Sequence, residues 1–448
     1  MAKRKVVIIG AAGRDFHNFN MFFRGNKDYS VVAFTQAGSQ NLGEVGMPKR
    51  TYPKELAGKG YPNGVPIYSE SRLADIIKKF KIDVAVMAYS DLSHLEVMHK
   101  ASITNAAGAD FWMMGTASTM LESRKPVISV CAVRTGAGKS PTSRAVIETL
   151  HKIRPGLRIV AIRHPMPYGD LAKQAVQRFA SMEDMKKANC TIEEMEEYEP
   201  HIEHGTIVYA GVDYEKILRA AEKEADIILW DGGNNDLPFI RPDLHIVLAD
   251  ALRPGHEVSY YPGEANFRMA DVIIINKVSE ARPEDVALIE RNAKIANPGA
   301  KLIKADLKVT VENGAALRGK RVLVVEDGPT LTHGGMNTGA GTVVALSSGA
   351  YTVNPREHAV GSIKKIYEEY PNLGAILPAM GYSRAQLTEL EETINAAHCD
   401  LVIIGTPVDL RKVIHINKPA VRVTYDLKDF TKPGLEDILR EFLRKGGR

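Results

Sequence analysis

Residues 125–144, KPVISVCAVRTGAGKSPTSR, decide how the chain reads. The run 127–133 is apolar and rich in β-branched side chains, and its length suits a buried strand. It leads into Arg134, Thr135, Gly136, Ala137, Gly138, Lys139, Ser140 and Pro141, after which a helix can begin. Strand, glycine loop, Lys-Ser and helix form the context of a phosphate-binding P-loop. Glycines let backbone N–H groups turn inward without a Cβ in the way. The helix N-terminus adds donors and a partial positive charge. Lys139 is expected on the β- and γ-phosphates, and the Ser140 hydroxyl on Mg2+. The plain alternative is a tight strand-to-helix turn that happens to carry Gly-Lys-Ser.

Outward from this loop, 225–231 (ADIILWD) is a second apolar strand, and it ends in Asp231. A carboxylate there faces a P-loop and positions Mg2+, as a Walker B acid does. The strand at 158–162 runs into Arg163, His164 and the loop PMPYGD. The strand at 245–249 runs towards Arg253 and His256. Both loops lie at the carboxyl ends of parallel strands, where open α/β sheets bind ligands. The strand at 271–275 meets Asn276, Lys277, Val278 and Ser279. In N-K-x-D the Asp carboxylate takes two guanine N–H groups, a contact Ser279 cannot make. Asn276 and Lys277 are still expected beside the base, with ATP favoured over GTP. Val133 stands where the common P-loop has its first glycine. Arg134 instead resembles the early cation of K-G-G-x-G-K-[ST] in the SIMIBI class of NTPases. That resemblance implies a cation reaching phosphate across a homodimer or higher homo-oligomer.

The length of 448 residues suggests two or three domains. The expected fold class is α/β with three-layer parallel sheets. A Rossmann-like N-terminal domain (1–122) precedes a P-loop NTPase domain (123–310) and a C-terminal α/β region (311–448) that packs with it. The net charge of +4 asks for neither nucleic acid nor an anionic membrane as partner. Three dispersed cysteines make no disulfide framework, which suits the cytoplasm. Gly10 and Gly13 make only half a dinucleotide fingerprint, so RDFHNFN is expected to line an anion site or an interface. Residues 51–66 are rich in Pro and Gly and read as a long surface loop. Asp91, His94, Glu96 and His99 read as a solvated helix start rather than a metal site. The acidic run 190–204 reads as a solvated helix face capped by Thr191 and Glu194. A metal role for the stretch from Glu193 to Glu203, with His201 and His204, is left open. A second glycine-rich loop, 326–341, carries His333 and could cradle another anion. The basic tail LREFLRKGGR reads as a fraying end helix.

Taken together, RDFHNFN, AVRTGAGKS, RHPMPYGDL, TIEEMEEYEPHI, WDGGNND, RPGHE, NKV and EDGPTLTHGGM resemble the cyclic 2,3-diphosphoglycerate synthetases, a family also described as predicted GTPases. The resemblance runs nearly end to end. It implies ATP-dependent closure of an intramolecular phosphoanhydride in 2,3-bisphosphoglycerate, with ADP and phosphate released. Lys139, Ser140 and Asp231 would hold Mg-ATP. Arg163, His164, Arg253, His256 and His333 would cover the phosphorylated acid, and Arg134 would act like an arginine finger. A regulatory GTPase acting on a protein partner, or another small-molecule kinase or ligase, are the competing expectations.

Overall fold

The computed structural model describes residues 2–37, 50–163, 170–233, 236–314, 316–328, 339–379 and 384–446, with Ile192 and Glu193 by backbone alone. His164 and His333 lie outside the described residues, as does most of each loop that carries them. The strands between residues 4 and 113 form a six-stranded sheet. They are β1 (Arg4–Ile9), β2 (Tyr29–Gln36), β3 (Thr51–Tyr52), β4 (Val65–Ser69), β5 (Val84–Met87) and, after the short β6 (Leu92–Ser93), β7 (Asp110–Met113), in the order β3-β4-β2-β1-β5-β7. Only the β3–β4 pair is antiparallel in this sheet.

The larger sheet has thirteen strands among the described residues. Its first part comprises β8 (Val127–Ala132), β9 (Ile159–Arg163), β10 (Gln177–Phe179), β11 (Ile207–Ala210), β12 (Ile227–Asp231), β13 (Leu244–Asp250) and, after the short β14 (Tyr260–Tyr261), β15 (Val272–Asn276). Then come β16 (Lys301–Val311), β17 (Arg321–Asp327), β18 (Tyr351–Thr352), β19 (Leu377–Ala379), β20 (Leu401–Ile404) and β21 (Ala420–Asp429). The order is β10-β11-β9-β12-β8-β13-β15-β16-β21-β20-β17-β18, with β19 also on β17. All pairings are parallel except β10–β11 and β16–β21.

Alternation along the central strands explains their nearly continuous apolar sequences, in which the buried Ser129 and His245 bond each other. Cys131, Trp230, Val247 and Ile273 pack with Tyr214, Phe267 and Ile289 from helices on one face. Their neighbours Val130, Leu229, Ile246 and Val272 pack with Ile147, Leu150, Leu439 and Phe442 on the other. A parallel sheet covered on both faces favours apolar side chains at nearly every position. The fold is therefore α/β, as the sequence leads one to expect.

Several expectations are corrected. The segment 51–66 is no mere surface loop: Tyr52 is fully buried, stacked on Phe16, and β3 pairs with β4. The basic tail does not fray between Leu435 and Arg444, because Leu435, Ile438, Leu439 and Phe442 are buried against the helix Lys139–Ile153. RDFHNFN forms an interface. Arg14 donates to Thr119 Oγ1 at 3.0 Å, and the His17 ring stacks on Phe239 with centroids 4.2 Å apart. The turn before it is filled from within the chain, since Asp15 Oδ2 accepts the Ala12 N–H at 2.7 Å.

Candidate nucleotide site

The loop between β8 and the helix Lys139–Ile153 is set by backbone conformation. Gly136 and Gly138 have φ of +82° and +102°, which a Cβ would penalise. Pro141 sits in the first helical turn, where its missing N–H is not needed. Three side chains then grip the loop by its carbonyls. Arg253 Nη2 donates to Thr135 O at 2.6 Å, Lys277 Nζ to Gly136 O at 2.9 Å, and Asn276 Nδ2 to Ala137 O at 2.8 Å. The C=O and N–H of one peptide unit point in opposite directions. The N–H groups of Gly136 and Gly138 therefore face away from these braces, as phosphate oxygens would require. Asp250 braces the braces, accepting from Lys277 Nζ at 2.8 Å and Arg253 Nε at 3.0 Å. Burial tends to raise its carboxyl, but Lys277 and Arg253 hold it below the ordinary value. Asn276 and Lys277 thus reach the P-loop backbone, and Arg253 lies behind the loop.

Below the loop is a buried charge cluster centred on Asp231. Register places Asp231 of β12 beside Arg163 of β9, at the carboxyl ends of neighbouring strands. Lys139 Nζ donates to Asp231 Oδ1 at 2.7 Å. Arg163 Nη1 donates to Oδ2, and His201 Nε2 lies 2.9 Å from the same oxygen. Arg163 also ion-pairs with Glu197. Burial works to raise the Asp231 carboxyl, yet Arg163, Lys139 and His201 outweigh it and hold it well below the usual range. Burial, aided by Arg163, brings the Lys139 ammonium down to about 8 against the pull of Asp231. Burial also lowers His201, with Asp231 opposing.

Glu197 and His201 come from the helix Ile192–Glu203, capped by Thr191 and Glu194 in the expected capping box. They are one turn apart, so they share the face that meets Asp231. The helix is not a solvated face: Glu194, Glu196 and Glu199 are buried. Glu199 meets Lys412 at 2.6 Å, Glu203 meets Lys412 at 2.7 Å and also Arg422, and Glu196 accepts from Thr406. Basic partners in the C-terminal region explain an acidic run that has no local counter-charges. Among the described residues no group of three or more His, Cys, Asp or Glu is arranged to hold a metal. A hydroxyl at Ser140 and a carboxylate at Asp231 are hard oxygen donors that fit Mg2+, which takes few protein ligands and completes its shell with phosphate and water.

Arg134 turns towards the six-stranded sheet. Its Nε donates to Asp91 Oδ1 at 2.7 Å, its Nη1 to His256 Nδ1 at 2.9 Å, and its guanidinium lies 3.8 Å from the Tyr260 ring centroid. Thr135 Oγ1 donates to Asp91 Oδ2 at 2.8 Å. Burial, then Arg134 and Arg253, lower His256, in keeping with an Nδ1 that accepts. At the second glycine-rich loop, buried Glu326 accepts from Thr342 N at 2.7 Å and Thr342 Oγ1 at 2.8 Å. It thereby occupies the N-terminal turn of the helix Ala340–Ser347 that an external anion would have used. Sequence reasoning missed Asp91, Glu197 and His201 as partners of the P-loop residues. Only the Glu197–His201 spacing hinted at a shared target.

No family model matches the chain. Among solved structures, similarity extends to apo-form LpxK of Aquifex aeolicus in complex with ATP, 12% identical, covering 82% of this chain and 99% of that one at a TM-score of 0.44. A ParA family ATPase of Chlorobium tepidum is 15% identical, covering 40% of this chain and 82% of that one at a TM-score of 0.24. Neither likeness is close enough to bear on the chemistry here. Sequence similarity is far stronger: arginine synthetase ArcE of Thermococcus kodakarensis is 59% identical over 443 residues, 99% of this chain and 97% of the relative. The chain therefore belongs to the family of that synthetase.

Proposed function

We propose that this protein is an ATP-dependent synthetase that builds the guanidinium group of arginine from an ω-ureido amino acid and ammonia. The ArcE relative, matched across almost its whole length, carries the choice of product. The P-loop with Lys139 against Asp231 supports the choice of energy source. A ureido oxygen is a poor leaving group, and phosphorylation makes it a good one. In the first step the γ-phosphoryl group passes to the ureido oxygen: an O–P bond forms, the bridging P–O bond to the β-phosphate breaks, and ADP departs. Ammonia then attacks the ureido carbon. Phosphate leaves with the electron pair of the C–O bond and with the proton shed by the incoming nitrogen.

In this reading Lys139 leaves Asp231 for the β- and γ-phosphates, and the exposed amides of the P-loop hold the remaining oxygens. Ser140 Oγ and the vacated Asp231 oxygen would hold Mg2+, which supplies charge neutralisation on the phosphates. Arg163, pinned between Asp231 and Glu197, would keep the vacated Asp231 carboxylate in place beside the phosphates. Phosphoryl transfer asks for positioning and charge stabilisation more than for a strong base.

A second reading keeps the same half-reaction and makes the acceptor a phosphate of 2,3-bisphosphoglycerate, as the loop motifs imply. That highly anionic acid needs cations with unspent charge. The described candidates are instead matched to carboxylates: Arg163 to Asp231 and Glu197, Arg134 to Asp91, and Arg253 to Asp250. The near-neutral surroundings suit an amino acid better. A bare GTPase switch is disfavoured by Ser279 and by membership in a synthetase family. The deciding experiment measures ADP release with citrulline plus ammonium and, separately, with 2,3-bisphosphoglycerate. Arginine is read by mass spectrometry and any cyclic anhydride by phosphorus NMR. Arginine formed in step with ADP is the expected result. A cyclic product, or nucleotide hydrolysis indifferent to either acceptor, would overturn the proposal.

A further inference from the structure

Position 279 carries no carboxylate, but the next strand brings one beside it. β15 ends at Asn276, whose amide grips the P-loop at Ala137. Lys277 follows with φ of +62°, which turns the chain sharply. Ser279 lies three residues past Asn276, beyond that turn. The neighbouring parallel strand β16 runs alongside, with Ile275 opposite Lys304 and the Val278 N–H on Ala305 O at 3.2 Å. Asp306, one residue further, receives the Ser279 N–H on Oδ1 at 3.0 Å and the Ser279 hydroxyl on Oδ2. Across the antiparallel joint Asp306 faces Lys428, whose ammonium lies 5.5 Å from the Phe430 ring centroid. The carboxylate is thus committed to the loop and not to a surface cation.

We propose that Asp306 is the residue that selects adenine over bases with an oxygen at the corresponding position. This rests on the reading of the P-loop as an ATP site. The physical reason is the edge-on grip of Ser279. Two donors from one residue use one lone pair on each oxygen along the shared edge. The lone pairs that remain diverge to the outer sides of the carboxylate. They cannot both meet the adjacent N1–H and N2–H of guanine, which need two parallel acceptors. One outer lone pair suffices for a single amino N–H, such as that on adenine C6. Hypoxanthine and guanine place a carbonyl oxygen there, and that oxygen meets the carboxylate in repulsion. A site that pairs a polar group on one base and leaves it opposed on another discriminates strongly.

The experiment compares kcat/KM for ATP, ITP and GTP in the full-length protein. The wild type is expected to prefer ATP over ITP by at least about ten-fold. Asp306→Asn, which offers an N–H to a C6 carbonyl, is expected to lose about ten-fold with ATP and to gain with ITP, so that the preference vanishes or reverses. Ser279→Ala frees one carboxylate oxygen and should narrow the ATP-to-GTP ratio by roughly three-fold. If Asp306→Asn lowers all three nucleotides by one factor, Asp306 merely braces the loop and the proposal fails. A wild type that uses ITP as well as ATP also overturns it. Competition binding of ATP against ITP gives the same readout should the variant bind without turning over. Failure of the ATP site itself is distinguished by Lys139→Ala, which should abolish turnover with every nucleotide whatever Asp306 does.

Discussion

Replacing Gly138 by alanine tests the P-loop architecture directly. A Cβ at 138 would lie 2.2 Å from Asn276 Nδ2, and the residue holds φ of +102°. The backbone term costs about 1–2 kcal/mol for a residue with a side chain. Pushing the Asn276 amide off the Ala137 carbonyl leaves a buried acceptor unmade, at about 1–3 kcal/mol. The loop escapes both penalties by leaving the phosphate-binding form, so the loss appears in ATP affinity. At least about 2 kcal/mol, or roughly 30-fold in Kd, is expected by titration calorimetry. Asn276→Ala alone removes the brace without a clash and should cost about 1 kcal/mol. In the double variant the clash has nothing to strike. The two effects should then fall short of additivity by about 1 kcal/mol. Strict additivity, or wild-type affinity in Gly138→Ala, would refute the close approach of these two side chains as the force shaping the loop.

Three further outcomes follow from the charge cluster and its surroundings. Lys139 sits at about 8 without nucleotide, and a bound phosphate would restore its proton. ATP affinity should therefore be flat below pH 8 and fall towards ten-fold per pH unit above it, measured by calorimetry between pH 7 and 9.5. Arg163→Ala leaves Asp231 and Glu197 without their shared cation. It should lower kcat by roughly 10^2-fold or more in coupled ADP-release assays. Lys412→Ala strands fully buried Glu199. With Lys412 itself partly exposed, about 1–3 kcal/mol of stability should be lost in urea unfolding, and Glu199→Gln in the same chain should recover most of it.

How much was legible in the sequence differs between strands and charges. The strands at 127–132, 227–231, 244–250 and 401–404 announce themselves because burial on both faces favours nearly continuous apolar runs. The strand Lys301–Val311 does not, since it alternates Lys, Asp and Thr with apolar residues along its half-exposed length. Lys139 and Asp231 were readable as a pair because a strand, a glycine loop and a strand-end acid constrain one another. The roles of Asp91, Glu197 and His201 were not. Each acts on a residue far along the chain, and a lone acid or imidazole in sequence carries no address. The tail around Leu439 and Phe442 was misread for the same reason: the surface that buries it belongs to residues near 147.

The antiparallel joint of β16 and β21 has a mechanical meaning. Pairing is continuous from Ala305 opposite Asp429 to Val311 opposite Val423, so the nucleotide half and the C-terminal half share one unbroken beam of hydrogen bonds. Bending there would tear that ladder row by row. The six-stranded unit joins by separate contacts instead, among them the two-residue β6–β14 rung, the Arg134–Asp91 clasp, the His17–Phe239 stack, the Arg24–Asp213 ion pair and the packing of Leu171 and Val212 into its core. A displacement of the amino-terminal unit would therefore reach the phosphate loop directly, because Arg134 and Thr135 both hold Asp91.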